Sequence, residues 1–210
     1  ISGNRAENDD KTVGEYLMRS LGCPLTITNS VIRNNSAIRK SSGISIGSST
    51  LTLVNVTFST DKGLKFNTFL FGSADAIVKV ENSRIEDTQG NAFKFTNSKL
   101  VTIKETQFTK CRGRRGGAIL LESVSSFEMV SATFSDNAAE SFGADIYALN
   151  TSEIKILDSK FLNINENGSI YAKGVQSFTL EETIFRHSKK ESDSNLDIDF
   201  DDHDWKNGEF

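Results

Sequence analysis

Residues 101–134 read VTIKETQFTKCRGRRGGAILLESVSSFEMVSATF, and their internal spacing decides the fold. Ile103 aligns with Met129, and Phe108 with Phe134, each pair 26 residues apart. Extended in both directions, the first column reads Ile27, Leu53, Val80, Ile103, Met129, Ile156, Leu180. The second, always five residues later, reads Ile32, Phe58, Ile85, Phe108, Phe134, Phe161, Phe185. The intervals are 26, 27, 23, 26, 27 and 24 in both columns. Two apolar columns that keep step in this way mark a repeat protein, each repeat being one unit that buries its apolar face only by stacking on its neighbours.

The repeat is built of strands. Val101 and Ile103 alternate with Thr102 and Lys104, and Phe127 and Met129 with Glu128 and Val130. A period of two over a few residues is a strand signal. Two residues before the second column stand Ser30, Val56, Ser83, Thr106, Ala132, Ser159 and Thr183, small side chains that share a face with the Phe or Ile. Five is odd, so side-chain parity breaks between the columns and the chain must bend there. At that bend stand Asn29, Asn55, Asn82, Glu105, Ser131, Asp158 and Glu182, and Asn tolerates the left-handed backbone of a tight turn. A third apolar segment closes each repeat: Ile44 and Ile46, Phe69 and Phe71, Phe93 and Phe95, Ile119 and Leu121, then Ile146, Ile170, and Ile198 with Phe200.

Three short strands and three bends per 23–27 residues describe one coil of a parallel β-helix. The expected fold is all-β, about seven coils over residues 25–200, stacked at about 4.8 Å into a rod of roughly 34 Å. The leucine-rich repeat is the main competitor, and its L-x-x-L-x-L signature is missing.

The run of Phe, a polar stretch and then Gly-Gly-Ala-Ile resembles the FxxN and GGA(I/L/V) repeats of polymorphic membrane proteins, within the right-handed, pectin-lyase-like β-helix class. Similar repeats occur in large surface proteins of protists. The matching residues are Phe108 with Gly116, Gly117, Ala118 and Ile119, and Phe134 and Asn137 with Gly143, Ala144, Asp145, Ile146 and Tyr147. Phe161 with Gly168 and Ile170 is a weaker copy, and Ile32 with Asn35 carries only the first half. The resemblance supplies the right-handedness. It implies a secreted or cell-surface scaffold and names no ligand.

Composition bounds the rest. The 210-residue chain carries a net charge of −4 with both signs interspersed, which argues against a nucleic-acid surface. Fifteen Phe against one Trp suit stacked aromatic ladders inside a narrow coil. No run approaches the ~18 apolar residues of a membrane-spanning helix. Ile1 is not an initiator and no signal peptide is visible, so the sequence reads as a piece of something longer. Residues 1–24 read as an arm ending in a short capping helix. Thr12 and Glu15 form a capping box, and Val13, Tyr16, Leu17 and Leu21 share one helical face before Gly22 and Pro24. Such a helix would cover the open end of the first coil. Cys23 and Cys111 lie three coils apart at different corners, about 14 Å along the axis, and are expected to stay unbridged.

Candidate sites are few. Sequons occur at Asn34, Asn55, Asn150 and Asn167; Asn55 falls in the Asn bend column, where a structural role is expected. Arg112, Arg114 and Arg115 make a basic loop tip suited to an acidic sugar or a neighbouring subunit. Glu105, Asp158 and Glu182 recur at one bend but are interrupted by Ser131, so they read as a polar ladder rather than a catalytic carboxylate set. His187 and His203 belong to no catalytic motif. Residues 201–210 form an acidic tail. Asp201, Asp202 and Asp204 offer a weak calcium site without EF-hand spacing, and an acidic edge that repels strand addition explains them equally well. Trp205 would fold back over the last coil. No catalytic residue and no cofactor are expected. The function that follows is a non-enzymatic structural or adhesive segment of an extracellular or cell-surface protein. Its partners would be copies of itself stacked into filaments, other surface proteins or glycans. A polysaccharide lyase or hydrolase and a non-catalytic glycan-binding module are the alternatives.

Overall fold

The computed structural model describes residues 5–6, 16–33, 36–37, 42–59, 68–162, 167–185 and 196–200. Every strand pairing among them is parallel and joins one repeat to the next. One face is a straight sheet of eight strands: Tyr16–Leu21, Ser42–Gly47, Thr68–Ser73, Asn91–Thr96, Ile119–Glu122, Ile146–Leu149, Ile170–Val175 and Leu196–Phe200. The other is a bent sheet of 12 strands. Its rungs run as single strands in Leu25–Arg33 and Thr50–Ser59, then as broken pairs such as Leu100–Lys104 with Gln107–Thr109. Both apolar columns lie on this face in the expected register, Ile103 beside Met129 and Phe108 beside Phe134.

The bend between the columns is where backbone sterics matter most. All seven residues of the Asn29-to-Glu182 column have φ between 47° and 54°. Left-handed backbone is unfavourable for a residue with a Cβ, and where a Ser or Thr follows, its hydroxyl offsets the cost. Ser83, Thr106 and Ser159 each donate a hydroxyl hydrogen bond at 2.8 Å to the carbonyl two residues back, across the bend. The Ser83 and Ser159 hydroxyls also accept the amides of Val56 and Ala132 from the preceding coil. A second left-handed column, Gly22, Ser48, Ala74, Asn97, Ser123 and Asn150, follows the straight-sheet strands and continues as Gly174, at an irregularity within Ile170–Val175.

Inside, the rings of Phe108, Phe134, Phe161 and Phe185 stack at 4.9, 4.8 and 4.8 Å with planes 5–9° apart. The spacing equals the distance between strands, so the sheet dictates the stack. Each fully buried Phe contributes roughly 2–3 kcal/mol of transfer free energy, and parallel aromatic neighbours add about 1 kcal/mol more.

Two expectations are corrected. Tyr16–Leu21 is a strand, not a helix: Met18 pairs with Ile44 and Ser20 with Ile46. The capping-box residues Thr12 and Glu15 lie outside the described residues. The edge of Ser42–Gly47 offers a row of hydrogen-bonding groups, and pairing with it satisfies more backbone than a two-turn helix could. In the third coil the inward register belongs to Leu70 and Gly72 rather than to Phe71. Phe71 pairs with Ser45 and Lys94 on the outer face and is half-buried. Gly72 leaves room for Phe95, whose ring would lie 2.7 Å from any Cβ placed there.

Candidate functional site

Several of the polar residues singled out from the sequence are committed to the coil itself. Asn55 Nδ2 donates to Asn29 Oδ1 at 2.8 Å, and Ser131 Oγ donates to Asp158 Oδ2 at 2.8 Å. The interrupted carboxylate column is therefore part of the bend.

The motif halves Phe134 to Asn137 and Gly143 to Ile146 have a shared purpose. Asn137 is fully buried at the corner that follows the Phe stack. Its Oδ1 accepts the Cys111 amide at 2.8 Å, while Nδ2 donates to Phe108 O at 3.1 Å and to Asp145 Oδ1 at 2.8 Å. Cys111 occupies the equivalent corner one coil earlier and is fully buried. Burial, foremost, pushes its thiol up to about 12, with the Asp145 carboxylate adding to the rise, so it is no nucleophile. Cys23 is exposed and unpaired as well, and the two cysteines form no disulfide.

The basic tip divides in two. Arg115 folds back onto the outside of the straight sheet. Its guanidinium sits 4.8 Å over the Tyr147 ring, Nη1 donates to Tyr147 Oη at 3.2 Å, and Nη2 lies 3.4 Å from Glu122 Oε1. Lys94 Nζ reaches the other carboxylate oxygen at 3.3 Å, so Glu122 has both oxygens engaged by cations. Tyr147 stacks on Tyr171 at 5.1 Å, and Phe142, 51% exposed, packs on Tyr171 at 4.9 Å. Lys94, Leu120, Tyr147 and Tyr171 form one outward row in four successive coils.

Arg112 and Arg114 remain in solvent and make no side-chain hydrogen bond or ion pair among the described residues. They flank an open groove of about 660 Å³ whose floor is the short parallel pair Arg112–Gly113 and Ala138–Ala139. Glu140 stands at its rim. The groove exists because small residues line it. Asn91, at one end, donates to the carbonyls of Arg115 and Gly116, and a Cβ on Gly113 would collide with it. Two unpaired guanidiniums over a shallow floor suit a ligand carrying anionic groups.

Arg112, Arg114 and Arg115 were singled out from the sequence, whereas the outward row of Lys94, Leu120, Tyr147 and Tyr171, with Glu122 beside it, was not. The signal was available, since outward positions of the straight sheet recur at the same repeat spacing as the inward ones. Asn34, His187, His203, Asp201, Asp202, Asp204 and Trp205 lie outside the described residues. Among the described residues no group of three or more His, Cys, Asp or Glu is placed to hold a metal ion.

The family model described as the right-handed β-helix region matches residues 67–194. Comparison with curated proteins and with solved structures returns no match. The matched span covers the Phe ladder, the Asn137 corner and the Arg112–Arg114 groove, and the chain belongs to the right-handed β-helix family.

Proposed function

We propose that this chain is a rigid, non-enzymatic scaffold segment of an extracellular or cell-surface protein, which displays one basic and aromatic face to a partner. The observation that carries this reading is where the reactive residue types go. At the corners Asn55, Ser131 and Asn137 bond to Asn29, Asp158 and Asp145, and the buried Cys111 thiol is protonated. Around the groove, Arg112, Arg114, Glu140 and the nearby exposed Phe142 ring are free to meet a ligand. The likeness of the motif at residues 134–137 and 143–146 to polymorphic membrane protein repeats supports the surface setting.

The second reading is a glycan-binding module acting through the groove, favoured by the two unpaired arginines. One experiment separates these readings from an enzyme. The chain is incubated with a panel of acidic and neutral polysaccharides, and both co-sedimentation and release of new sugar ends are followed. The scaffold reading expects no new ends, and any binding is expected to weaken in Arg112→Ala/Arg114→Ala. Turnover abolished by the same substitutions would overturn it. Antibody labelling of unpermeabilised source cells tests the surface setting.

A further inference from the structure

Three of the four sequons fall on described residues, and the coil treats their asparagines differently. Asn55 lies in the bent-face column with φ 54°, between Asn29 and Asn82 in the adjacent coils. Its Nδ2 is committed to Asn29 Oδ1. Asn167 Nδ2 is committed to Ala139 O at 2.8 Å, on the floor of the arginine groove. A sugar on either nitrogen would replace an amide proton and wedge a pyranose between rungs about 4.8 Å apart, or fill the groove.

Asn150 is placed otherwise. It follows the straight-sheet strand Ile146–Leu149 at an exposed corner with φ 50°. Its backbone amide donates to Lys173 O at 2.9 Å, while its carboxamide makes no hydrogen bond among the described residues. At the same corner of the adjacent coils stand Ser123 and Gly174, with φ 56° and 66°. The space on both sides along the axis is thus bounded by a hydroxymethyl group and a hydrogen.

We propose that Asn150 carries an N-linked glycan and that Asn55 and Asn167 do not. The proposal rests on the extracellular reading above. In the transfer, Asn150 Nδ2 bonds to the anomeric carbon of a lipid-pyrophosphate-linked oligosaccharide. The bond from that carbon to the phosphate oxygen breaks, its electron pair leaves with the pyrophosphate, and the amide gives up one proton. Asn150 borders the straight sheet on the edge its strands leave from, whereas Arg112 and Arg114 precede the strand Ile119–Glu122 on the edge where strands enter. The glycan would therefore shield one edge of the rod and leave the groove open at the other.

The test is peptide mapping of the full chain recovered from the surface or medium of its source cells, after enzymatic glycan removal in heavy-oxygen water. The expected result is a heavy-labelled Asp at position 150 with Asn55 and Asn167 unlabelled. Label at Asn55 or Asn167 that is absent from a parallel digest without the glycan-removing enzyme, or none at Asn150, would overturn the proposal. Should the protein be found only inside its source cells, the extracellular reading fails. The glycan inference is then tested by secreted expression of the full chain behind an added leader. There, Asn150→Gln and Ser152→Ala are each expected to remove the same single glycan while secretion persists. Ser152→Ala leaves the Asn150 side chain in place, so loss of the glycan in that variant reports the sequon and not a folding defect. Persistence of the glycan in both variants would overturn the proposal.

Discussion

Asn137 donates to the Asp145 carboxylate at 2.8 Å, with both side chains fully buried. That bond joins the end of the Phe-containing segment to the entry of the straight sheet, across the loop of residues 138–144. The same asparagine also holds the Cys111 amide and the Phe108 carbonyl of the preceding coil. Asn137→Ala strips three partners at once and leaves a carboxylate and two backbone groups buried. A loss of about 3 kcal/mol is expected, as buried unsatisfied groups cost roughly 1–3 kcal/mol each and water enters part of the space. Asn137→Asp should cost more, because it places two carboxylates in contact in a dry corner. Chemical denaturation of the two variants checks the order.

Gly143 and Gly22 both have positive φ, at 60° and 70°, but only one is crowded. A Cβ on Gly143 would overlap the Ile146 carbonyl, while Gly22 has nothing within 4 Å. Gly22→Ala should cost only the backbone term, about 1 kcal/mol. Gly143→Ala should prevent the corner from forming. Comparison of soluble yield and thermal midpoint separates the two.

Phe134 sits in the middle of the ring stack, 4.9 Å from Phe108 and 4.8 Å from Phe161. Removing it opens a cavity that stacked neighbours cannot close, because the sheets fix their positions. Phe134→Ala should cost about 3–5 kcal/mol, and Phe134→Leu clearly less. Phe185→Ala, at a half-buried ring, should cost less than Phe134→Ala. Equal losses at both ring positions would count against a graded ladder.

Cys111 gives a pH signature. Its thiol is pushed from 9.0 up to about 12 in the folded coil, mainly by burial. The folded state therefore holds its proton more tightly than the unfolded one. The corresponding stability is present in full below pH 9.0 and is lost as pH rises from there toward about 12. Cys111→Ala should flatten that alkaline decline. At pH 8 a thiol reagent should modify exposed Cys23 and spare Cys111 until the chain is unfolded, as intact mass would show.

The interior was legible in the sequence because it repeats. The bend column from Asn29 to Glu182 could be read from spacing alone, even where Glu105 and Glu182 replaced asparagine, since the parity break forces a turn regardless of residue type. Tyr16–Leu21 was misread because its apolar residues also satisfy helical spacing. The competing signal was the 26-residue offset from Met18 to Ile44, and from Ile44 to Leu70. The outward row of Lys94, Leu120, Tyr147 and Tyr171 recurs at the repeat spacing, but the contacts of Arg115 with it do not follow from spacing. Arg115 reaches Glu122 and Tyr147 only after Gly116 and Gly117 turn the chain back over the sheet, a three-dimensional consequence of two small residues.

The central claim is a stiff rod of in-register coils, and a distance along its outer face tests it most directly. Thr52, Lys79, Thr102, Glu128, Lys155 and Thr179 form one outward row of register partners. Spin labels at Thr52 and Thr179, on an otherwise cysteine-free chain, are separated by five rungs and should lie about 24 Å apart. Labels at Thr102 and Thr179 should lie about 14 Å apart on the same spacing. Narrow pulsed-dipolar distributions at those two distances are the predicted result. Broad distributions, or distances that do not scale with the number of rungs, would contradict the account.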